Sequence, residues 1–329
     1  MAGVVTAAVE VRGLVKRYGK VEAVRGIDLD VAPGETFGFL GPNGAGKSTT
    51  INILCTLAEP TAGSARVVGY DVQRERDAVR RSIGLVFQEP TLDAYLTAEQ
   101  NLRFHGELYG VPRSTAGQRR TEVLTMVGLE DRRHSLVSTF SGGMKRRLEI
   151  ARGLLHSPRV LFLDEPTVGL DPQTRASIWT YIGQLHERQE VTVFVTTHYM
   201  DEAEHCDRIA IMNEGQIVAL DTPEALKAAI GKDRVQLSTE DDAAAIVALR
   251  RDFNVEAAIH EGMVTLSVPE GARFVPQVVG HLGVEINSVT VTRPSLDDVF
   301  LAYTGTTIRD AEAASPMSHM AALARRGGR

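Results

Sequence analysis

The pattern of apolar and polar positions divides the chain into stretches of different period. Between residues 8 and 34, Val9, Val11 and Leu14, then Ile27, Leu29 and Val31, alternate with polar residues around turns at Gly19-Lys20 and Pro33-Gly34. That period of two predicts half-buried β-strands. Residues 36–40, 83–88, 159–165, 191–195 and 209–212 are instead near-continuous apolar runs. Such runs, alternating with helical stretches such as 175–188, predict strands buried on both faces of a parallel α/β sheet. From residue 89 to about 157 the spacing turns helical, as in Leu92, Leu96, Leu102 and Phe104, then Val123, Leu124, Val127 and Leu129. This reads as a helical insert in the α/β core, with residues 112–117 as a loop inside it. Beyond Pro223 short strands (235–238, 264–268 and 284–292) alternate with helices at 242–253 and 273–282. The order suggests a small α+β appendage of the split βαβ kind. The expected division is therefore 8–222 for the main domain and 223–310 for the appendage. Residues 311–329, rich in Ala, Gly, Ser and Arg, are expected to form a disordered tail.

Composition narrows the class. With 43% apolar and 24% charged residues, the 329-residue chain has the profile of a soluble globular protein. Its net charge of −6 argues against a nucleic-acid binder working by bulk charge, and no nucleic-acid partner is expected. The two cysteines, Cys55 and Cys206, are far apart and fit a reducing, cytoplasmic setting. No Cys/His cluster suggests zinc, and no signal peptide is expected. No apolar run approaches the roughly 20 residues needed to cross a bilayer. Spans would have to come from another chain.

The chemistry starts at Gly41-Pro42-Asn43-Gly44-Ala45-Gly46-Lys47-Ser48-Thr49, between an apolar strand and a helix. Glycines let successive N–H groups converge, and the helix N-terminus adds unpaired donors and a positive dipole end. Lys47 suits β- and γ-phosphates, and the Ser48 hydroxyl suits Mg²⁺. Asp164 and Glu165 end a buried strand, where such sheets place ligands. Two acids there are costly unless they serve a metal or a reaction, Asp164 holding Mg²⁺ and Glu165 facing a water. His198 ends another strand; a lone histidine is usually packing or capping, but at this strand end it is poised to bond a γ-phosphate. Ser141-Gly142-Gly143 opens a helix and reads either as a second anion cradle or as a plain cap. The following Lys145, Arg146 and Arg147 are expected to be a solvated helix face. Tyr18, at a strand end, is either half-buried packing or a surface for a nucleotide base.

In this order the pieces resemble the ATP-binding subunit of ABC transporters. Over about residues 8–220, Tyr18 matches the adenine-stacking aromatic, residues 41–49 the Walker A loop and Gln88 the Q-loop glutamine. Ser141-Gly142-Gly143 matches the signature motif, residues 160–165 Walker B, Gly169-Leu170-Asp171 the D-loop, and His198 the switch histidine. Phe140 and Met144 depart from the commonest Leu-Ser-Gly-Gly-Gln, leaving the phosphate-facing part intact. The resemblance implies a P-loop NTPase fold of RecA type with an antiparallel β subdomain and a helical subdomain. It implies ATP and Mg²⁺, with Ser48, Gln88 and Asp164 at the metal, Glu165 as base, and Lys47, Gln88 and His198 in catalysis. It further implies a homodimer across two ATP molecules, bound to separate transmembrane permease subunits at the cytoplasmic face of the membrane. Residues 139–148, 166–172 and 294–300, together with the appendage, are most similar to exporters of the daunorubicin-resistance type. Drug, lipid and polysaccharide cargoes stay open, as does an importer. A ribosome-associated ABC protein, usually with two modules and a basic linker, is the main rival; one module and a net charge of −6 count against it.

Overall fold

The computed structural model describes residues 7–189, 191–260 and 262–306. These fall into two compact units divided after Thr222. The expectation for residues 311–329 lies outside the described residues.

The first unit opens with β1 (Val9–Tyr18), β2 (Val21–Val31), β3 (Thr36–Leu40) and α1 (Lys47–Leu54), followed by β4 (Ala62–Val67) and β5 (Tyr70–Asp71). β1, β2, β4 and β5 make an antiparallel sheet in the order β2-β1-β4-β5. All six alternating residues from Val9 to Val31 are buried, as their period requires. The alternation slips between Val11 and Leu14 because the strand carries a bulge there.

The next elements are α2 (Arg76–Ser82), β6 (Ile83–Val86), α3 (Ala98–Leu108), α4 (Arg113–Met126), α5 (Gly142–Leu154), β7 (Val160–Asp164) and α6 (Pro172–Gln189). β8 (Thr192–Thr197), α7 (Met200–Ala203), β9 (Arg208–Asn213) and β10 (Gln216–Asp221) complete the unit. The second sheet runs β10-β9-β3-β8-β7-β6, parallel except for β10. Every residue of β3, β7 and β8 is buried, which accounts for their continuous apolar runs. Phe37, Phe39, Phe162 and Phe194 pack in one core with α1 and the antiparallel sheet.

Two expectations within the helical insert need correction. Residues 113–117 are not a loop: Pro112 caps α4, whose first turn they form. A proline costs little at a helix start, where no N–H is required of it. Leu92 and Leu96 precede the helix rather than lie on it, for α3 begins after Thr97, which forms a capping box with Gln100.

The second unit holds α8 (Pro223–Ile230), β11 (Asp233–Thr239), α9 (Asp242–Phe253), β12 (Ala257–His260), β13 (Met263–Val268), α10 (Gly271–His281), β14 (Ile286–Thr292) and α11 (Leu296–Thr304). Its antiparallel sheet, ordered β12-β13-β11-β14, has the split βαβ arrangement expected from the sequence. β12 is short and largely exposed, so its sequence carries no clear alternation. No helix among the described residues is long and apolar enough to cross a membrane.

Candidate functional site

Parallel register places the site. Leu40 of β3 lies beside Thr197 of β8, Asp164 of β7 beside Thr196, and Leu163 beside Val86 of β6. The segments after these strands therefore emerge side by side at the carboxyl edge of the sheet, where α/β sheets bind ligands. They carry Gly41–Thr49, Gln88, Glu165 and His198.

The loop after β3 turns back tightly. A side-chain carbon at Gly41 would lie 2.2 Å from the Met212 carbonyl oxygen, and one at Gly46 2.4 Å from that of Ala23. Gly46 also has φ 106°, so only glycine serves there. Pro42 is buried and its carbonyl accepts from the Ala45 N–H, leaving Asn43 and Gly44 exposed at the tip. Lys47, buried at the first position of α1, donates through Nζ to the carbonyls of Gly41 at 2.6 Å and Pro42 at 3.1 Å. Ser48 Oγ donates to Asp164 Oδ1 at 3.1 Å, and Thr196 Oγ1 to the same oxygen at 2.5 Å. Thr49, partly exposed, continues the helix.

Glu165 is the centre of the cluster. Lys47 Nζ lies 3.4 Å from its Oε1, His198 Nδ1 3.4 Å from the same oxygen, and Gln88 Nε2 donates to Oε2 at 3.2 Å. Burial pushes this carboxyl up, but the contact with His198 and the charge of Lys47 more than offset it, holding Glu165 below the usual glutamate range. A carboxylate that is 95% buried yet held below the usual glutamate range is in the deprotonated form that a proton acceptor must have. Ser48 and Asp164 present hard oxygen donors 3.1 Å apart at a helix N-terminus, a set that fits Mg²⁺ shared with phosphate oxygens.

Not every expected residue joins this cluster. Tyr18 is half exposed on the β1–β2 hairpin, with Lys16 Nζ 4.7 Å from its ring centre. Ser141 caps α5, its Oγ accepting from the Met144 N–H at 3.3 Å. Ser141 and Gly142 are exposed, and Gly143 is buried where a side-chain carbon would lie 2.3 Å from Thr174 Cγ2. Among the described residues, no hydrogen bond joins these three to the Glu165 cluster of their own chain.

Arg146 contradicts its expected place on a solvated face. Only 6% exposed, it bonds to the carbonyls of Phe87, Asp164, Glu165 and Pro166 and to Glu149. Burial lowers its pKa against the pull of Glu149. A signal was present in the sequence: Gly143, Arg146, Ile150 and Gly153 share one helical stripe, and all four are buried. Glu202, also missed, accepts from Thr197 Oγ1 at 2.6 Å and from Thr167, and burial raises its carboxyl.

The family described as "ABC transporter" matches residues 24–168, and that described as "ATP-binding protein DrrA1-3-like, C-terminal domain" matches 222–304. The chain is 40% identical to the daunorubicin/doxorubicin resistance ATP-binding protein DrrA of Streptomyces peucetius, over 91% of this chain and 93% of that one. It belongs to the ABC transporter ATP-binding proteins. The linearmycin resistance ATP-binding protein LnrL of Bacillus subtilis is 41% identical, over 92% of this chain and 99% of the relative. Among solved structures, the dimeric ATP-binding cassette MJ0796 in a post-hydrolysis state, bound to ADP and Pi, is similar with a TM-score of 0.59 and 29% identity. That likeness covers 65% of this chain and 98% of the cassette. As an ABC ATP-binding protein the chain binds ATP and is an ATPase, and Lys47, Gln88, Asp164 and Glu165 lie within the matched residues 24–168.

Proposed function

We propose that this chain is the ATP-hydrolysing subunit of an exporter of drugs or other hydrophobic compounds, working as a homodimer on separate permease subunits. The observation that carries the catalytic part is Glu165, buried and ionised between Lys47, His198 and Gln88. In the proposed reaction, Lys47 exchanges its loop carbonyls for the β- and γ-phosphates, and Tyr18 stacks on adenine. Ser48, Asp164 and Gln88 would hold Mg²⁺, which would supply charge neutralisation on the phosphates. Glu165 takes a proton from water as its oxygen attacks the γ-phosphorus in line and the bond to the leaving ADP oxygen breaks. His198 holds a γ-phosphate oxygen. Ser141, Gly142 and Gly143 reach the γ-phosphate held by a second copy, which agrees with the exposed position of Ser141 and Gly142 away from their own cluster.

Cargo class rests on the relatives, whose names speak of resistance to daunorubicin, doxorubicin and linearmycin. A peripheral position on the cytoplasmic face follows if permeases supply the spans. The test is Glu165→Gln. It is expected to bind ATP, lose turnover by at least about a hundredfold, and trap a dimer of twice the chain mass when ATP is added. A variant that hydrolyses ATP at the normal rate removes Glu165 as the base.

A further inference from the structure

Arg146 is unusual in how completely its donors are committed. A guanidinium carries five N–H groups in a planar fork, and here each meets an acceptor. Nε donates to the Pro166 carbonyl at 2.6 Å; Nη2 donates to those of Asp164 at 3.0 Å and Glu165 at 3.2 Å. Nη1 donates to the Phe87 carbonyl and to Glu149 Oε2 at 3.2 Å. Glu149, fully buried, accepts in turn from the Thr91 N–H at 2.7 Å. This pair on α5 therefore ties together the segment bearing Glu165 and the segment bearing Gln88.

Glu165 needs such a hold. Its φ of 45° is left-handed, a conformation that L-residues with a side chain keep only where the surroundings fix it. The Glu165 N–H is fixed by the Thr196 carbonyl at 3.2 Å and Thr196 Oγ1 at 3.1 Å, and its carbonyl by Arg146.

We infer that Arg146 is a positioning residue for ATP hydrolysis, holding the strained Glu165 peptide and the start of the Gln88 segment in register with α5. The inference rests on the reading of Glu165 as the base. Because α5 begins with Gly142 and Gly143 and is capped by Ser141, a shift of that helix on meeting a second copy's nucleotide would pass through Arg146 to the base. Hydrolysis would then be tuned to engagement of the signature segment. Lysine cannot replace arginine here: its three donors radiate from one nitrogen, whereas the acceptors lie around a planar fork.

The experiment is Arg146→Lys in the full-length chain, which keeps a positive charge beside Glu149. Arg146 makes its hydrogen bonds to Phe87, Glu149, Asp164, Glu165 and Pro166 rather than to Lys47 or Ser48, so the expected result is a fall in kcat of about tenfold or more, with KM and the ATP Kd within about threefold of the parent. Amide exchange should rise in peptides covering 87–91 and 164–167 and stay unchanged in β3 and β8; a purely structural role would raise it throughout. Should the lysine variant not fold, Arg146→Met with Glu149→Met removes both members of this pair together and leaves Arg152, 3.9 Å from Glu149 in the parent, on its hydrogen bonds to Thr91; the same split is expected. A folded variant with kcat within about twofold of the parent, or one losing ATP affinity with kcat unchanged, overturns the inference. Normal turnover by Glu165→Gln would instead overturn the assignment of the base, so the two failures are distinguishable.

Discussion

In the proposed mechanism a single carboxylate concentrates the chemistry. Glu165 is held ionised by a lysine and a histidine despite burial that works against its charge. Its pKa is depressed in the fold, so it contributes stability that is present above the ordinary glutamate value and lost as pH falls through the folded value. Glu165→Gln is therefore expected to melt below the parent at neutral pH, with the gap closing as pH drops beneath the ordinary glutamate range. Calorimetry over that range checks it, and a gap that widens steadily toward acid contradicts it. Lys47→Ala should act differently, weakening ATP binding itself by about tenfold or more through loss of a full charge at the phosphates; equilibrium titration with ATP separates the two behaviours. The residues at this scale were legible where chemistry is contiguous in the chain. Lys47, Ser48, Asp164 and Glu165 were picked from short motifs, and the fold brings them within hydrogen-bonding or ion-pair distance. Arg146 was not, because a run of three basic residues on a helix looks solvated. Only its place on the buried stripe, and an acid three residues on, distinguish it.

Among the elements, α5 is the one whose position matters most to the site. It packs on β6, the strand leading to Gln88, through two glycines. A side-chain carbon at Gly84 would lie 2.3 Å from the Gly153 carbonyl oxygen, a clash with backbone that no rotamer relieves. Gly84→Ala is thus expected to cost about 1–3 kcal/mol, the usual penalty of overpacking, and to lower Tm by several degrees. Gly153→Ala meets Leu161 Cδ1 at 3.2 Å, the end of a flexible side chain, and should cost less. Scanning calorimetry of both variants checks the order, and equal losses would contradict it. Buried strands and the two sheets of the first unit were readable because period reports directly on which faces are covered. The start of α4 was not, because Pro112 and Gly117 signal a turn locally while the buried Val123 and Leu124 hold the helix in place. Likewise β12, with four residues and little burial, leaves almost no pattern to read.

At the scale of the whole molecule, each unit has its own apolar core, and the sequence marked the change of character near Pro223. The proposed sharing of a site between two copies belongs to this scale. If Ser141 of one copy serves the nucleotide of the other, two inactive variants should rescue each other. Lys47→Ala and Ser141→Arg are each expected to be inactive alone, and their mixture to regain ATPase activity, since a mixed dimer holds one intact composite site. An inactive mixture contradicts a site shared between chains. The proposal that this ATPase drives an exporter is tested most directly by affinity purification of the tagged chain from detergent-solubilised membranes of its host, with mass spectrometry of what accompanies it. The account predicts a protein with several transmembrane helices in stoichiometric amount. Recovery only in the soluble fraction, together with ribosomal proteins, would contradict it.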